Sequence, residues 1–101
     1  MPLISIVIPS YGNAQYLPAC LDSIANQPFK DWEAIVVVDA SPDNAAEIAS
    51  GYAKRDARFV VIDKPENEGL HLARKTGVAA ATGDYITFLD GDDEQIGRAH
   101  V

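Results

Sequence analysis

The sequence predicts an α/β fold, a three-layer α/β/α arrangement with a mostly parallel sheet and the element order βαβαβαβ. Four short apolar runs rich in β-branched residues are bounded by turn residues, which is typical of strands covered on both faces. Three segments with helical apolar spacing lie between these runs. A helix between consecutive strands makes the strands parallel and places helices on the faces of the sheet.

The first strand and the first helix are predicted near the amino terminus. Leu3–Ile8 is short and β-branched, and we expect the strand to stop at Pro9, because proline cannot donate to a central ladder. Asn13 has a side chain suited to capping the next helix. That helix is predicted over Gln15–Asn26, where apolar residues recur at helical spacing and Pro18 fits the first turn.

The middle of the chain repeats this order. A second buried strand is predicted over Trp32–Val38 and ends in Asp39. The next residues have the turn and capping chemistry of a connection into a helix. Ala45–Lys54 carries an apolar face at helical spacing, and Phe59–Ile62 is predicted to be the third strand.

The last helix and strand precede an acidic cluster. The helix is predicted over Leu70–Ala81 and to end at Thr82-Gly83, since glycine commonly follows a helix terminus. We expect four of its residues to face inward: Leu70, Ala73, Gly77 and Ala80. Asp84–Leu89 is the fourth predicted strand, and residues 90–94 then carry four acids around one glycine.

Composition and charge narrow the function classes. The 101 residues suffice for one small domain. A net charge of −7 argues against binding nucleic acid through a basic face and against docking on anionic lipid. Cys20 is the single cysteine, which excludes an internal disulfide and a cysteine-based zinc cluster. Neither a signal peptide nor a bilayer-spanning apolar run is visible, so we expect a soluble, cytoplasmic protein.

The parallel topology predicts where a ligand would bind. In such sheets ligands occupy the crevice beyond the carboxyl ends of the strands. Four segments follow those ends: Pro9-Ser10-Tyr11, Asp39-Ala40-Ser41, Pro65-Glu66-Asn67 and Asp90-Gly91-Asp92. An aromatic ring can stack on a base, and a carboxylate can accept from a base N–H or a ribose hydroxyl. Hard divalent cations prefer oxygen ligands, so the convergence favours a metal over a solvated acidic turn at residues 90–92.

Each candidate residue also has a structural interpretation. Tyr11 could be a packed loop aromatic, and Asp39 could be a helix-side cap for the turn after the second strand. Arg74 could be a solvated charge, although its helix would let it reach a phosphate. The first turn lacks G-x-G-x-x-G, and no G-x-x-x-x-G-K-[ST] occurs, so dinucleotide binding of the NAD type and P-loop hydrolysis fit poorly.

A set of ordered motifs covers nearly the whole chain. These are Ile4–Tyr11, Leu21–Ile24 with Gln27, Val37–Asp39 with Ser41 and Asp43, Asn67–Gly69 with Ala73-Arg74, and Gly83–Asp93. In this order and spacing they resemble the N-terminal half of a family 2 inverting glycosyltransferase of the GT-A fold, the Rossmann-like fold of nucleotide-diphospho-sugar transferases.

The resemblance implies a donor site for a nucleotide-diphosphate sugar, usually linked to UDP. It implies that eight residues bind the nucleotide sugar: Pro9, Ser10, Tyr11, Asp39, Ser41, Arg74, Asp90 and Gly91. Asp90-Gly91-Asp92 would be the D-x-D motif, with Asp92 and Asp90 on Mn²⁺ or Mg²⁺. The implied reaction is the inverting transfer of one sugar to a hydroxyl acceptor in polysaccharide or glycoconjugate synthesis.

Three positions depart from the family pattern. Asp39-Ala40-Ser41 stands where the family often has two acids and a glycine, which places the base contact on Asp39 alone. Lys75 follows Arg74 in place of a common asparagine, and Gly12 separates Tyr11 from the asparagine that usually follows it.

The resemblance also bears on domain organisation. Family members continue with an acceptor-binding half that carries the general base, so we interpret residues 1–95 as the nucleotide-sugar-binding half of a truncated domain, inactive alone and without a catalytic residue of its own. Ile96–Val101 resembles translated sequencing adapter, and we expect it to be a non-native tail.

Two alternatives stay open from the residues. A receiver-type signalling domain also binds Mg²⁺ at strand ends, but it predicts an acidic pair after the first strand and would have to use Asp63 as phosphoacceptor. A non-catalytic nucleotide-binding module would share the donor site without transferring a sugar.

Overall fold

The computed structural model describes residues 2–89, so the acidic cluster at residues 90–94 and the tail at residues 96–101 lie outside the described part. Seven elements follow one another within residues 2–89. They are β1 (Ile4–Ser10), α1 (Leu17–Asn26), β2 (Trp32–Asp39), α2 (Ala45–Arg55), β3 (Phe59–Lys64), α3 (Leu70–Ala80) and β4 (Tyr85–Phe88). The predicted order βαβαβαβ is confirmed.

The four strands form one sheet in the order β3-β2-β1-β4, and all three pairings are parallel. In the register, Ile8 of β1 lies beside Val36 of β2, and Val36 lies beside Val61 of β3. The central strands β1 and β2 are nearly all buried, as their β-branched sequences predict. The predicted parallel α/β sheet is therefore confirmed.

Helices cover both faces of the sheet. On one face, α1 and α2 pack over Ile6, Ile8 and Val36, with Leu17 and Leu21 fully buried. On the other face, α3 is the one helix among residues 2–89 that lies over β1 and β2. Its contact with the sheet is made by Ala73 against Ile35 and Val37 and by Gly77 against Val7. The arrangement is the predicted three-layer α/β/α.

The predicted inward face of α3 is only half correct. Ala73 and Gly77 are buried, but Leu70 is 51% exposed and Ala80 is also exposed. Ala73 and Gly77 have small side chains, so the helix lies close to the sheet along the strip that they form. Leu70 instead lines a cleft described below.

The prediction that β1 stops at Pro9 is wrong, because the strand continues to Ser10. The N–H of Leu89 donates to the carbonyl of Val7 at 3.0 Å, so odd-numbered residues of β1 hydrogen-bond towards β4. The missing N–H of Pro9 is on that side. Pairing with β4 ends at Val7–Phe88, so the proline lies beyond the last described pair and interrupts nothing there.

The predicted cap of α1 is also wrong. The helix begins at Leu17, its N-cap is Tyr16, and no side chain caps it. Asn13 instead accepts the hydroxyl of Ser10 at 2.7 Å through Oδ1, and its carbonyl accepts the N–H of Tyr16. Pro18 lies in the first turn, as predicted. Asn13 therefore shapes the turn before the helix.

One carboxylate fixes the loop that leads into β4. Glu33 of β2 accepts the hydroxyl of Ser5 at 2.6 Å and the N–H of Thr82 at 2.6 Å, and the N–H of Gly83 donates to Ser5 at 2.8 Å. Partial burial raises the pKa of the Glu33 carboxyl, but these hydrogen bonds outweigh it and hold the pKa below its ordinary value. Gly83 is needed here for close approach, since a Cβ would lie 2.7 Å from Ser5 Oγ.

Candidate functional site

A cleft of about 660 Å³ lies at the carboxyl edge of β1 and β2, where the parallel topology predicts a ligand site. Its size lies within the range of small-molecule sites. It is lined by Pro9, Ser10, Tyr11, Gly12, Asn13, Tyr16, Asp39, Asn67, Gly69, Leu70 and Ala73. The residues come from the ends of two strands, the loop between β1 and α1, the loop before α3 and the first turns of α3.

Four of the predicted site residues line this cleft: Pro9, Ser10, Tyr11 and Asp39. Ser10 is 1% exposed, and its hydroxyl is committed to Asn13. Tyr11 is 55% exposed, so its ring is not packed into the core and is accessible for stacking. The structure thus brings the predicted aromatic and the predicted carboxylate to one cavity.

Asp39 is the most constrained residue of the cleft. It is 3% exposed, and its two carboxylate oxygens accept the N–H groups of Glu68 and Gly69, each at 2.9 Å. Gly69 is the N-cap of α3, so the carboxylate satisfies free donors where the helix begins and lies at its positive end. Each oxygen has a second lone pair, which leaves acceptor capacity for a ligand.

Ser41 and Arg74 do not line the cleft. Ser41 Oγ accepts the N–H of Gly12 at 2.9 Å and ties the loop after β1 to the loop after β2. The guanidinium of Arg74 lies 5.7 Å from the centre of the Phe88 ring. This places Arg74 beside the end of β4, the strand that leads directly to residue 90.

Seven residues of the cleft were not predicted as site residues: Gly12, Asn13, Tyr16, Asn67, Gly69, Leu70 and Ala73. Asn67 Nδ2 donates to the carbonyl of Asp39 at 3.1 Å, which fixes its amide beside that strand end. The signal for Asn67 was present, because it follows the third strand at the same edge of the sheet. Tyr16 is 51% exposed, and its position at the end of a short connecting loop was the only indication.

The charge of the cleft has a consequence for its ligand. Among the described residues that line it, Asp39 alone is charged. Its negative charge would oppose an anionic ligand such as a diphosphate, which would need cationic groups from outside this lining. Arg74 is a cationic residue outside the lining, beside β4.

The predicted metal residues Asp90 and Asp92, together with Gly91, lie outside the described residues. Within residues 2–89, no three histidine, cysteine or acidic side chains are grouped to hold a metal ion. Leu89 hydrogen-bonds to Val7, two residues before Pro9, so β4 directs the chain towards the edge that carries the cleft. No helix in this described part is long and apolar enough to cross a membrane.

Ala40, directly after Asp39, has a left-handed backbone with φ of 54°. This conformation costs a residue with a Cβ about 1–2 kcal/mol, whereas glycine adopts it freely. Glycine also loses about 0.4–1 kcal/mol through the greater entropy of the unfolded chain. We therefore expect Ala40→Gly to raise the free energy of unfolding by about 0.5–1 kcal/mol in urea denaturation.

The control for this prediction is Ala53→Gly, which lies in the regular helix α2. There the same substitution should lower the free energy of unfolding by about 1 kcal/mol. A destabilised Ala40→Gly variant would show that Ala40 is not strained.

Comparison with known proteins agrees with the fold. Residues 5–95 match the sequence model of the family described as Glycosyl transferase family 2. EpsJ of Bacillus subtilis (strain 168), named an uncharacterized glycosyltransferase, is 50% identical over 93 residues. The match covers 92% of this chain and 27% of EpsJ.

Solved glycosyltransferase structures share the fold. Staphylococcus aureus TarS in complex with UDP-GlcNAc has a TM-score of 0.82 and 29% identity, over 89% of this chain and 26% of that one. The mannosyltransferase PcManGT from Pyrobaculum calidifontis, in complex with GDP-Man and Mn²⁺, has a TM-score of 0.83 and 25% identity, over 90% and 28%. The chain thus spans about a quarter of the length of these relatives. Because the family match extends over most of its length, the chain belongs to glycosyltransferase family 2, with the GT-A fold.

Proposed function

We propose that residues 1–95 are the donor-binding half of an inverting glycosyltransferase that uses a nucleotide-diphosphate sugar, with UDP as the expected nucleotide. The observation that carries this proposal is the cleft, which combines an exposed Tyr11 with a buried, ionisable Asp39 at the carboxyl edge of the sheet. TarS binds UDP-GlcNAc and PcManGT binds GDP-Man, which supports a nucleotide sugar as ligand.

In this proposal the nucleobase lies between Tyr11 and the loop before α3. Tyr11 stacks on the base, and Pro9 and Ser10 form the floor. Asp39 accepts a base N–H with the lone pairs that Glu68 and Gly69 leave free. The carboxylate is held from two sides, so it is preorganised for this contact.

The diphosphate would extend from the base towards β4. Arg74 offers a guanidinium beside that strand, where Asp90 and Gly91 would meet the ribose and phosphate. Ser41 would not contact the base, but it accepts the N–H of Gly12 and so supports the loop that carries Tyr11.

Asp92, with Asp90, would hold Mn²⁺ or Mg²⁺, whose preference for carboxylate oxygens fits these residue types. The presence of Mn²⁺ in the PcManGT complex supports a divalent cation. When bound, the ion would act as a Lewis acid and offset the charge of the departing diphosphate.

The acceptor and the general base would belong to a part of the protein beyond this chain, since the relatives are about four times longer. The sugar would pass with inversion to a hydroxyl in polysaccharide or glycoconjugate synthesis, and the enzyme would work in the cytoplasm. The family match covers residues 5–95 and does not include residues 96–101. The receiver-type alternative gains no support from the comparisons.

Calorimetric titration of the full-length protein with UDP, with and without Mn²⁺, tests this proposal. We expect Mn²⁺ to tighten UDP binding at least about tenfold, and Asp92→Ala to remove that gain, because the ion bridges carboxylate and phosphates. GDP serves as the competing nucleotide. Metal-independent binding that is equal in both proteins would contradict the metal assignment, and no binding of either nucleotide would contradict the donor site.

A further inference from the structure

The carboxylate of Asp43, outside the cleft, joins the loop after β1, which lines the cleft, to the loop after β2. Asp43 Oδ2 accepts the N–H of Ala14 at 3.0 Å, from the loop that carries Tyr11. Its Oδ1 accepts the N–H of Ala45 at 3.2 Å and the hydroxyl of Ser41.

Ser41 continues this connection. While its hydroxyl donates to Asp43, its oxygen accepts the N–H of Gly12 at 2.9 Å. The loop between β1 and α1 is thus held at Gly12 and at Ala14. Tyr11, whose ring is exposed in the cleft, directly precedes the first of these anchors.

We propose that Asp43 is a positioning residue for the cleft, whose carboxylate holds the loop of residues 11–14 against the loop after β2 and thereby fixes Tyr11 opposite Asp39. This inference rests on the proposed function, in which Tyr11 stacks on the nucleobase. Asp43 itself lines no part of the cleft and touches no ligand in this proposal.

The chemistry of the bridge requires a carboxylate. Three donors converge on Asp43 from two loops, and an ionised carboxylate is an acceptor on both oxygens. Asparagine would present an NH₂ group to one of the loops. The hydrogen bond from Ser41 lowers the pKa of the Asp43 carboxyl, and the N–H of Ala14 and that of Ala45 act in the same direction, so the acceptor form prevails at neutral pH.

A purely structural role is the competing explanation, because Asp43 also accepts the N–H of Ala45 at the start of α2. Glu47 separates the two roles. It is an acid in the first turn of the same helix, and none of the described hydrogen bonds joins it to the loop of residues 11–14. Glu47→Gln therefore removes the same charge from the same helix terminus and leaves the bridge intact.

Hydrogen exchange of the full-length protein without nucleotide is the first measurement. In Asp43→Asn, the amides of Gly12 and Ala14 should exchange about tenfold faster than in the wild type. Ser41→Ala should accelerate Gly12 and leave Ala14 slow, while Glu47→Gln should change neither. Slow exchange at both amides in Asp43→Asn overturns the proposal.

Calorimetry with UDP is the second measurement. If the bridge keeps Tyr11 in place, a loop that is correctly positioned one tenth of the time raises the Kd about tenfold in Asp43→Asn. In the Tyr11→Ala background the same substitution should change the Kd less than about twofold, because the ring being positioned is gone. Equal losses in both backgrounds overturn the positioning role and leave Asp43 a helix-start residue.

The two measurements separate the inference from the proposed function. Faster exchange in Asp43→Asn, with UDP binding by the wild type and non-additive losses, supports both. Faster exchange in a protein that binds neither UDP nor GDP overturns the donor site and the positioning role with it, and the bridge between the loops then stands as architecture alone.

Discussion

Gly77→Ala is expected to lower the free energy of unfolding by about 2 kcal/mol, although alanine is the better helix former. Gly77 lies inside α3, where a Cβ would be 2.3 Å from Cγ1 and 3.2 Å from Cγ2 of Val7, and 3.3 Å from Cγ2 of Val37. Both valines are fully buried in the two central strands. Valine is stiff about χ1, so its methyl groups cannot turn away, and α3 must move from the sheet.

Urea denaturation measures this effect, and Gly51→Ala is the matched control. Gly51 lies inside α2, where an added Cβ would have no neighbour within 4 Å, so there the same substitution should raise the free energy of unfolding by about 0.5–1 kcal/mol. Opposite signs for the two variants are the expected result. A stabilised Gly77→Ala would mean that α3 does not lie this close to β1.

Val7→Ala, made alone and in combination with Gly77→Ala, gives a further check. Alone it should destabilise by leaving a cavity in the core. Combined with Gly77→Ala, it makes room for the new methyl group, so the double variant should lose less stability than the sum of the two single changes. Additive losses would show that the clash lies elsewhere.

The fold was predictable because local patterns and topology agree. Buried β-branched strands alternating with helices leave few arrangements, and a parallel sheet follows. Hydrophobic periodicity does not show how closely a helix packs against the sheet. Leu70 and Ala80 fit the apolar stripe of α3, yet of the four residues predicted to face inward only Ala73 and Gly77 are buried against the sheet. The distance between the helix and the sheet depends on Val7 and Val37, which belong to other elements. Pro9 was misjudged for a related reason, since its effect depends on which side of the ladder loses a donor.

For the candidate site, the sequence was sufficient to predict which strand ends come together. Parallel topology brings Tyr11 and Asp39 together, and the structure shows both in one cleft. The partners of Asp39 were not predictable, because the amides of Glu68 and Gly69 are about thirty residues away and backbone groups leave no sequence signal. The tie through Ser41 and Asp43 was hidden for the same reason, although both belong to the family-like motif after β2.

Asp39→Ala is expected to weaken UDP binding at least about tenfold and to lower the free energy of unfolding by about 2–4 kcal/mol. The stability loss arises because the N–H groups of Glu68 and Gly69 lose a charged acceptor at a position where Asp39 is 3% exposed. The binding loss arises because the same carboxylate is the proposed acceptor for the nucleobase. One side chain thus builds the start of α3 and the base site together.

Asp39→Asn separates these two contributions. Its amide keeps one oxygen for one of the two N–H groups and turns an NH₂ towards the other, so stability should fall by about half as much as in the alanine variant. Asp63→Asn, an exposed acid on β3, is the charge-matched control and should change neither property. Calorimetry below the unfolding transition of every variant measures binding, and urea denaturation measures stability. If Asp39→Ala is destabilised but binds UDP normally, Asp39 only stabilises the start of α3, and base recognition must come from Tyr11 and Asn67. If Asp39→Ala is as stable as the wild type, the two amide contacts do not hold the start of the helix.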